Sequence, residues 1–180
     1  MSKSWKTLSS RTVFDNPWIS VREEDVIRPD GSPAVYGVVS FKNLAVGIIP
    51  LDDEMHTWLV GQERYTLGAW SWEIPMGGAP LHEHPLDGAR RELREETGLA
   101  ARSWTEVMRL HTSNSVTDEL GIVYLARDLT QGDPAFDEGE VLEIRRVPLD
   151  EAVDMVLKGE ITDAISAAGL LMVDRIRHSL

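Results

Sequence analysis

The chain has 180 residues, with 18 Lys and Arg against 30 Asp and Glu, a formal net charge of −12 and no cysteine. This length suits one domain with at most a small appendage, and it buries enough surface to need no disulfide or structural zinc. The lack of cysteine excludes zinc–thiolate sites, iron–sulfur clusters and thiol catalysis. The acidic balance argues against nucleic acid and anionic membranes as partners. No apolar stretch suits a signal peptide or a membrane span, so we expect a cytoplasmic protein.

Roughly the first 65 residues are predicted to form strands, because β-branched residues are frequent and turn residues separate them. The turn at Pro29–Ser32 has a physical basis, since Pro fixes φ and Gly supplies a positive φ. Later, Trp72–Gly78 is predicted as a short strand that runs into a glycine pair. The other strands predicted in this part are Ile19–Arg28, Ala34–Phe41, Leu44–Leu51 and Thr57–Arg64.

The hydrophobic period then becomes helical. Pro85 suits the first helical position and Gly98 suits the end of a helix. Apolar residues recur between them at helical spacing. Further strands are predicted at Trp104–Leu110, at Ile122–Ala126 and through Val147, and further helices at Asp150–Lys158 and at Ala164–Ile176, with Thr162 as the cap of the last. This order predicts an α+β fold with a mixed sheet flanked by helices.

Three carboxylates crowd one side of the central helix. At 100° per residue, Glu92, Glu95 and Glu96 fall within an arc of about 100° beside the apolar stripe. Like charges at this spacing repel one another, so a positive group must offset them. One interpretation is an exposed face balanced by the arginines of the helix, and the other is a site for Mg²⁺ or Mn²⁺. The pair Gly77-Gly78 favours the metal site, because it lets the Met76 carbonyl turn toward the same ions.

The segment from Gly77 to Leu99, GGAPLHEHPLDGARRELREETGL, resembles the Nudix box. That pattern is Gly, five residues, Glu, seven residues, Arg-Glu-apolar, any residue, Glu-Glu, any residue, Gly-apolar, and its many fixed gaps make it specific. The resemblance implies a Nudix α/β/α sandwich with a mixed sheet, a divalent metal and hydrolysis of a nucleoside diphosphate linked to another group. The matching residues are Gly77, Glu83, Arg91, Glu92, Leu93, Glu95, Glu96, Gly98 and Leu99.

The resemblance also implies roles for these positions. Glu92 and Glu96 correspond to metal ligands, with two to three Mg²⁺ or Mn²⁺ ions per site. Glu95 corresponds to a further ligand or a partner of the ligands with a part in catalysis. Met76 contributes its carbonyl, and Gly77 supports that geometry.

Two further positions of the box correspond to supporting residues. Arg91 and Glu83 resemble the buried pair that orients the ligands. The alternative for Glu83 is an acid favoured near a helix start by the helix dipole. Gly88 lies where Ala is usual in the family, and glycine in a helix costs about 1 kcal/mol.

The resemblance extends beyond the box. Gln62–Tyr65, followed by Trp72–Gly77, looks like the ADP-ribose pyrophosphatase and nucleoside diphosphate sugar hydrolase branch. In that branch the Arg of the first motif contacts substrate phosphate, which corresponds to Arg64, and a guanidinium can bind a phosphate bidentately. The alternative for Arg64 is an exposed cation at the end of a strand.

Two loops carry further candidates. In the loop Ser113–Glu119, Asn114 and Ser115 stand where ADP-ribose hydrolases commonly have Pro and Gly, which favours other nucleoside diphosphate sugars. Glu119 corresponds to an acid that binds a ribose or sugar hydroxyl, or it is an ordinary exposed strand-start residue. In the acidic loop that follows, a Glu of this branch activates the attacking water or completes the metal site. Glu140 aligns best and Glu138 second, and a solvated loop is the alternative.

Tryptophans near the N-terminus offer a base-binding surface. Trp5, Trp18 and Trp70 lie in or near segments that frame the nucleobase in related dimers, and stacking on a Trp face contributes about 1–3 kcal/mol. Core packing is the alternative for each of them.

The sequence therefore predicts a Nudix pyrophosphohydrolase that cleaves a nucleoside diphosphate sugar, such as ADP-ribose or GDP-mannose, to a nucleoside monophosphate and a sugar phosphate. The alternatives are a pyrophosphatase that removes damaged nucleoside triphosphates and a sensor that binds a nucleotide sugar without cleaving it. We expect residues 1–42 to be an N-terminal element of antiparallel strands that forms a homodimer, and residues 43–180 to be the hydrolase domain. The expected partner is the small nucleotide sugar, with neither nucleic acid nor membrane.

Overall fold

A computed structural model describes residues 4–136 and 141–179 of the chain. It is mostly strands with three α-helices, so the predicted α+β class is confirmed. The chain divides into two compact units. The first contains the chain up to Asn43 together with His111–Leu120, and the second contains Leu44–Leu110 and the chain from Gly121 onward.

The first unit is built on three antiparallel strands in the order β1-β2-β3. These are β1 (Lys6–Asp15), β2 (Ile19–Ile27) and β3 (Pro33–Phe41). Between β2 and β3 lies the predicted turn, in which Gly31 has φ of 92° and donates its N–H to the Arg28 carbonyl at 2.9 Å. Every residue of β1 is exposed.

The second unit contains two sheets, with the orders β10-β5-β6 and β7-β4-β9-β8. Strands β4 and β9 pair in parallel, whereas β5 pairs antiparallel with both of its neighbours. The sheets are therefore mixed, as the order of elements predicts. Their strands are β4 (Asn43–Pro50), β5 (His56–Arg64), β6 (Ala69–Glu73), β7 (Met76–Pro80), β8 (Leu99–His111), β9 (Leu120–Gln131) and β10 (Glu143–Pro148).

Three α-helices complete the second unit: α1 (Pro85–Thr97), α2 (Leu149–Leu157) and α3 (Ala164–Ile176), followed by a 3₁₀ turn at Arg177–Ser179. Pro85 begins α1, and Gly98, with φ of 73°, ends it, which confirms both predicted bounds. The predicted cap of α3 is wrong. Asp163 rather than Thr162 caps the helix, because its Oδ1 accepts the Ser166 N–H at 2.7 Å. Among the described residues, no helix combines the length and the apolar character that crossing a membrane requires.

The core of the second unit draws on both sheets and on α2 and α3. Its fully buried members include Ile49, Leu59, Ile74, Val123, Leu149, Leu170 and Val173. Helix α1 buries Ala89 and Leu93. A Cβ at Gly88 would lie 2.7 Å from the Ala79 Cβ, so α1 can lie this close to β7 only because residue 88 is glycine. The family's usual Ala would not fit here without a shift.

Candidate active site

Three elements of the second unit meet at one cleft of about 310 Å³. The end of β5 provides Arg64, the start of β7 provides Met76, and α1 provides Glu92 and Glu96. The glycine pair Gly77-Gly78 forms part of the wall between them. The structure thus brings together most of the predicted metal ligands and the predicted phosphate contact.

Glu96 is the most buried of the three carboxylates, at 5% exposed. Its Oε2 accepts the Met76 N–H at 2.9 Å, and this hydrogen bond links α1 to the first residue of β7. A buried carboxylate requires such a partner, because desolvation penalises its charged form. The contact seen for Met76 is thus made by its N–H, and the predicted role of its carbonyl as a ligand stays a prediction.

Glu92 lies against the backbone of β7, and its side chain is 13% exposed. A Cβ at residue 77 would collide with the Glu92 carboxylate. Glycine is therefore required at position 77 for a steric reason, because the Cβ of any other residue would displace this carboxylate from the cleft.

Arg91 supplies the positive charge that the crowded carboxylates require. Its guanidinium lies 2.8 Å from Glu92 Oε1, donates to Glu95 Oε2 at 2.8 Å and donates to the Gly78 carbonyl at 2.8 Å. Burial disfavours the charged guanidinium, but attraction to Glu92 and Glu95 outweighs this and raises the pKa of Arg91 above its ordinary value.

The predicted supporting pair of Arg91 and Glu83 stays a prediction. Within residues 4–136 and 141–179, the carboxylates that Arg91 contacts are Glu92 and Glu95, not Glu83. Glu95 lies at i+4 on the same helix face as Arg91, which favours their contact. Glu83 is half-buried in the turn before α1, where its N–H donates to the Pro80 carbonyl at 2.9 Å.

The donors of this region fit a hard divalent cation. Glu92, Glu95 and Glu96 carry three negative charges, of which Arg91 offsets one, leaving a charge of −2 in a largely buried group. Carboxylate oxygens are the ligands that Mg²⁺ and Mn²⁺ prefer. Glu95 differs from the other two, because it does not line the cleft.

Arg64 is held by a buried carboxylate that the sequence analysis missed. Its Nε donates to Glu73 Oε1 at 2.8 Å and its Nη2 to Glu73 Oε2, a bidentate pair in which Glu73 is 4% exposed. This hydrogen bonding raises the pKa of Arg64 despite burial. The sequence did offer one signal for this pair. Glu73 is a charged residue between Trp72 and Ile74 in a predicted strand, and a buried charge is almost always paired.

The predicted substrate contacts Trp5, Trp18 and Glu119 all belong to the first unit. Trp5 is 50% and Trp18 67% exposed, so core packing does not account for either ring. Trp5 meets the Tyr36 ring edge-on at 5.3 Å between centroids, and both line a groove of about 310 Å³. The Thr112 hydroxyl donates to the Glu119 carboxylate, which gives that acid a local structural partner.

The predicted catalytic residues Glu138 and Glu140 lie outside the described residues. The start of their loop is described and is bonded to the C-terminal end of α1. Gly132 N–H donates to the Gly98 carbonyl, and Ala135 N–H donates to the Glu95 carbonyl, both at 2.9 Å. The described start of the acidic loop is therefore attached to the helix that carries the candidate ligands.

A second acidic group lies at the β4–β5 turn, where Asp52, Glu54 and His56 place possible metal-binding atoms within 4.8 Å of one another. Arg146 bonds to both carboxylates, at 2.6 Å in each case. Asp52 Oδ1 also accepts the N–H groups of Glu54 and His56. Although burial acts to raise the pKa of Asp52, these hydrogen bonds and Arg146 lower it overall. The group is therefore explained as a network that holds the turn.

A mixed-sheet fold with a glycine pair in front of a carboxylate-rich helix defines the Nudix class. The chain belongs to the Nudix family: residues 41–167 match the family model described as the NUDIX domain. Residues 5–39 match the model described as the nucleoside diphosphate sugar hydrolase N-terminal domain.

Individual proteins agree with this assignment. The chain is 36% identical to an ADP-ribose pyrophosphatase of Mycobacterium tuberculosis, over 96% of this chain and 84% of that protein. It is 33% identical to an ADP-ribose pyrophosphatase of Bacillus subtilis, over 90% and 88% of the two chains. In fold it matches the crystal structure of an ADP compounds hydrolase with a TM-score of 0.86, covering 97% of this chain and 95% of that one, at 24% identity.

Proposed function

We propose that the protein is a divalent-metal-dependent pyrophosphohydrolase that cleaves a nucleoside diphosphate sugar to a nucleoside monophosphate and a sugar phosphate. The observation that carries the proposal is the single cleft that Glu92, Glu96, Arg64 and the glycine pair line together. Carboxylates that bind a cation and a guanidinium that binds a phosphate suit a pyrophosphate substrate. The two ADP-ribose pyrophosphatases support the same class of substrate.

Glu92 and Glu96 are proposed to hold the metal, with Glu95 supporting them through Arg91 and the Met76 carbonyl as a further ligand. When bound, two to three Mg²⁺ or Mn²⁺ ions neutralise the pyrophosphate and lower the pKa of a bound water. Gly77 leaves room for the Glu92 carboxylate, and the Met76 N–H fixes Glu96, so both ligands are oriented before substrate arrives.

Arg64 is proposed to bind a phosphate oxygen. Glu73 keeps its guanidinium in one plane and orientation, which reduces the entropy lost on binding. Glu140, or else Glu138, is proposed to accept the proton of the attacking water. The hydrogen bond from Ala135, at the start of their loop, to the Glu95 carbonyl supports this, because it attaches the loop to the helix that carries the carboxylates.

The first unit is proposed to bind the nucleoside. The exposed rings of Trp5 and Trp18 offer stacking surfaces for a base, and Glu119 offers an acceptor for a ribose or sugar hydroxyl. Exposed apolar side chains on β1, such as Leu8 and Phe14, support a homodimer formed through residues 1–42. The homodimer and the cytoplasmic location stay predictions.

A substrate panel tests the proposal. The purified protein with Mg²⁺ is assayed against ADP-ribose, GDP-mannose, UDP-sugars and nucleoside triphosphates, and the products are identified by ³¹P NMR. We expect a monophosphate and a sugar phosphate from one or more of the diphosphate sugars. Preference for triphosphates would place the protein among the enzymes that remove damaged nucleotides, and binding without cleavage would indicate a sensor; either result overturns the proposal.

A further inference from the structure

The C-terminal end of α1 is held by a segment of the second unit, residues 131–135, which we call the clamp. The last four carbonyls of an α-helix have no partner within the helix. In α1, the Thr97 carbonyl accepts a hydrogen bond from the Gln131 side chain at 3.1 Å. The Glu95 carbonyl accepts one from the Ala135 N–H at 2.9 Å. The clamp therefore supplies donors that the end of the helix would otherwise take from water.

The clamp also packs directly on the residue that ends the helix. The Gly132 N–H donates to the Gly98 carbonyl at 2.9 Å. A Cβ at residue 98 would collide with the Gly132 carbonyl and would lie 2.8 Å from the Asp133 carbonyl carbon. Glycine at position 98 thus provides both the positive φ that ends α1 and the room for the clamp.

Gln131 is the side chain that joins the clamp to the helix. Its Nε2 donates to the Thr97 carbonyl and, at 2.7 Å, to the Gly132 carbonyl. The two donors of one amide group therefore serve the helix end and the clamp. Gln131 is an exposed residue, and water could satisfy its amide, so its two backbone partners indicate a positioning role.

The end of α1 needs this support because it carries like charges. Glu95 and Glu96 lie in the last turn, at the negative end of the helix dipole, where carboxylates are unfavourable. Arg94 is the basic residue of this turn. Donors on the terminal carbonyls reduce the negative partial charge there and hold the turn against fraying.

We infer that Gln131 is a positioning residue for Glu96. This role rests on the proposed function, in which Glu96 binds the cation. The two hydrogen bonds from the clamp to α1 flank Glu96, because they go to the carbonyls of Glu95 and Thr97. The carboxylate of Glu96 is held separately by the Met76 N–H. When the amide of Gln131 is lost, the last turn opens more often, and the observed metal affinity falls with the population of the closed turn.

Two variants of Gln131 test this role. Gln131→Met keeps the length of the side chain and removes the amide, and Gln131→Glu keeps its shape but presents a carboxylate to the Thr97 carbonyl. Mn²⁺ binding is followed by electron paramagnetic resonance, and the site in the cleft is identified as the one lost in Glu96→Gln. We expect the Mn²⁺ dissociation constant to rise about threefold to tenfold in Gln131→Met and at least as much in Gln131→Glu. The direction is informative for Gln131→Glu, because an added negative charge alone would tighten cation binding.

Hydrogen exchange of the metal-free protein reports on the helix end itself. The amides in the last turn of α1 should exchange at least about threefold faster in both variants, and those in the middle of α1 should not change. Thr130→Val, at the neighbouring exposed position of β9, is the matched control and should leave both measurements unchanged. Wild-type Mn²⁺ affinity in Gln131→Met, or tighter binding in Gln131→Glu, would overturn the positioning role even if Tm falls.

Hydrolysis of ADP-ribose and of the other substrates in the panel is measured alongside, so that the two proposals fail separately. Cleavage by the wild-type protein together with unchanged Mn²⁺ affinity in Gln131→Met removes the positioning role and leaves the proposed function. Weakened Mn²⁺ binding in the variants, with no cleavage by the wild-type protein, does the reverse.

Discussion

Substitution of Gly88 by Ala sets two effects against each other. Gly88 lies inside α1, where exchange of glycine for alanine ordinarily stabilises a helix by about 1 kcal/mol. The new Cβ would lie 2.7 Å from the Ala79 Cβ and 3.2 Å from the Ala79 Cα. Carbon atoms prefer separations of about 3.5–4.0 Å, so the helix and strand would have to separate by about 1 Å.

The steric effect is expected to exceed the helix propensity. Ala79 is fully buried and its backbone belongs to β7, so neither contact can be relieved by rotating a flexible side chain. Overpacking of this kind costs about 1–3 kcal/mol. Because the contacts are rigid, we expect a cost of about 2–3 kcal/mol, which exceeds the gain of about 1 kcal/mol in helix propensity. We expect a net loss of about 1–2 kcal/mol of unfolding free energy, or a fall in Tm of about 3–6 °C for a chain of this size.

A double-mutant cycle isolates the contact. Thermal unfolding is measured for Gly88→Ala, for Ala79→Gly and for both together. The double variant should recover most of the loss caused by Gly88→Ala, because it removes the opposing Cβ. A rise in Tm for Gly88→Ala alone, or strictly additive effects in the double variant, would refute this account of how α1 packs on β7.

Three further predictions concern a buried hydroxyl, a titrating turn and the metal cleft. Thr57→Val should raise the unfolding free energy by about 1 kcal/mol, because within the described residues the buried Thr57 Oγ1 has no hydrogen-bond partner; an unchanged or lower Tm would contradict this. Asp52→Asn should destabilise the protein at pH 7. Because the pKa of Asp52 is lowered in the folded protein, its carboxylate stabilises the fold at pH values above the ordinary pKa of 3.8, and this stabilisation is lost as the pH falls further. The unfolding free energies of the wild-type protein and of Asp52→Asn should therefore converge in acid; a constant difference between them in denaturant titrations from pH 7 to pH 3 would exclude this. Gly77→Ala should weaken Mn²⁺ binding, followed by electron paramagnetic resonance, at least about tenfold, because the new Cβ displaces Glu92; undiminished binding would exclude that role.

Local signals in the sequence predicted α1 well. Pro85 and Gly98 act on backbone geometry at their own positions, and the apolar stripe between them has only one helical face to occupy. The predicted strand Trp72–Gly78 is instead two strands, β6 and β7. Ile74 N–H bonds to the Ser166 hydroxyl on α3, and Pro75 has no N–H, so both leave the sheet at this point.

Contacts between distant residues account for what the sequence did not predict. The pairing of Glu73 with Arg64 depends on the turn that brings β5 and β6 together, and no periodicity reports it. The contact of Arg91 with Glu95 was not predicted either, although the two residues are four apart on one helix. Helix propensity alone marks Gly88 as unfavourable in α1, but the close approach of Ala79 shows that a residue without a side chain is required there.

The central claim is that the carboxylates of α1 hold the cation on which hydrolysis depends. The most direct measurement is the rate of Mg²⁺-dependent ADP-ribose cleavage by Glu96→Gln, with Glu151→Gln, an exposed helical glutamate of α2, as the matched control. Glu96→Gln removes charge with little change in volume, so circular dichroism should show an intact fold. We predict a rate lowered at least about a thousandfold for Glu96→Gln and an unchanged rate for Glu151→Gln. A folded Glu96→Gln variant that cleaves at the wild-type rate would contradict the account.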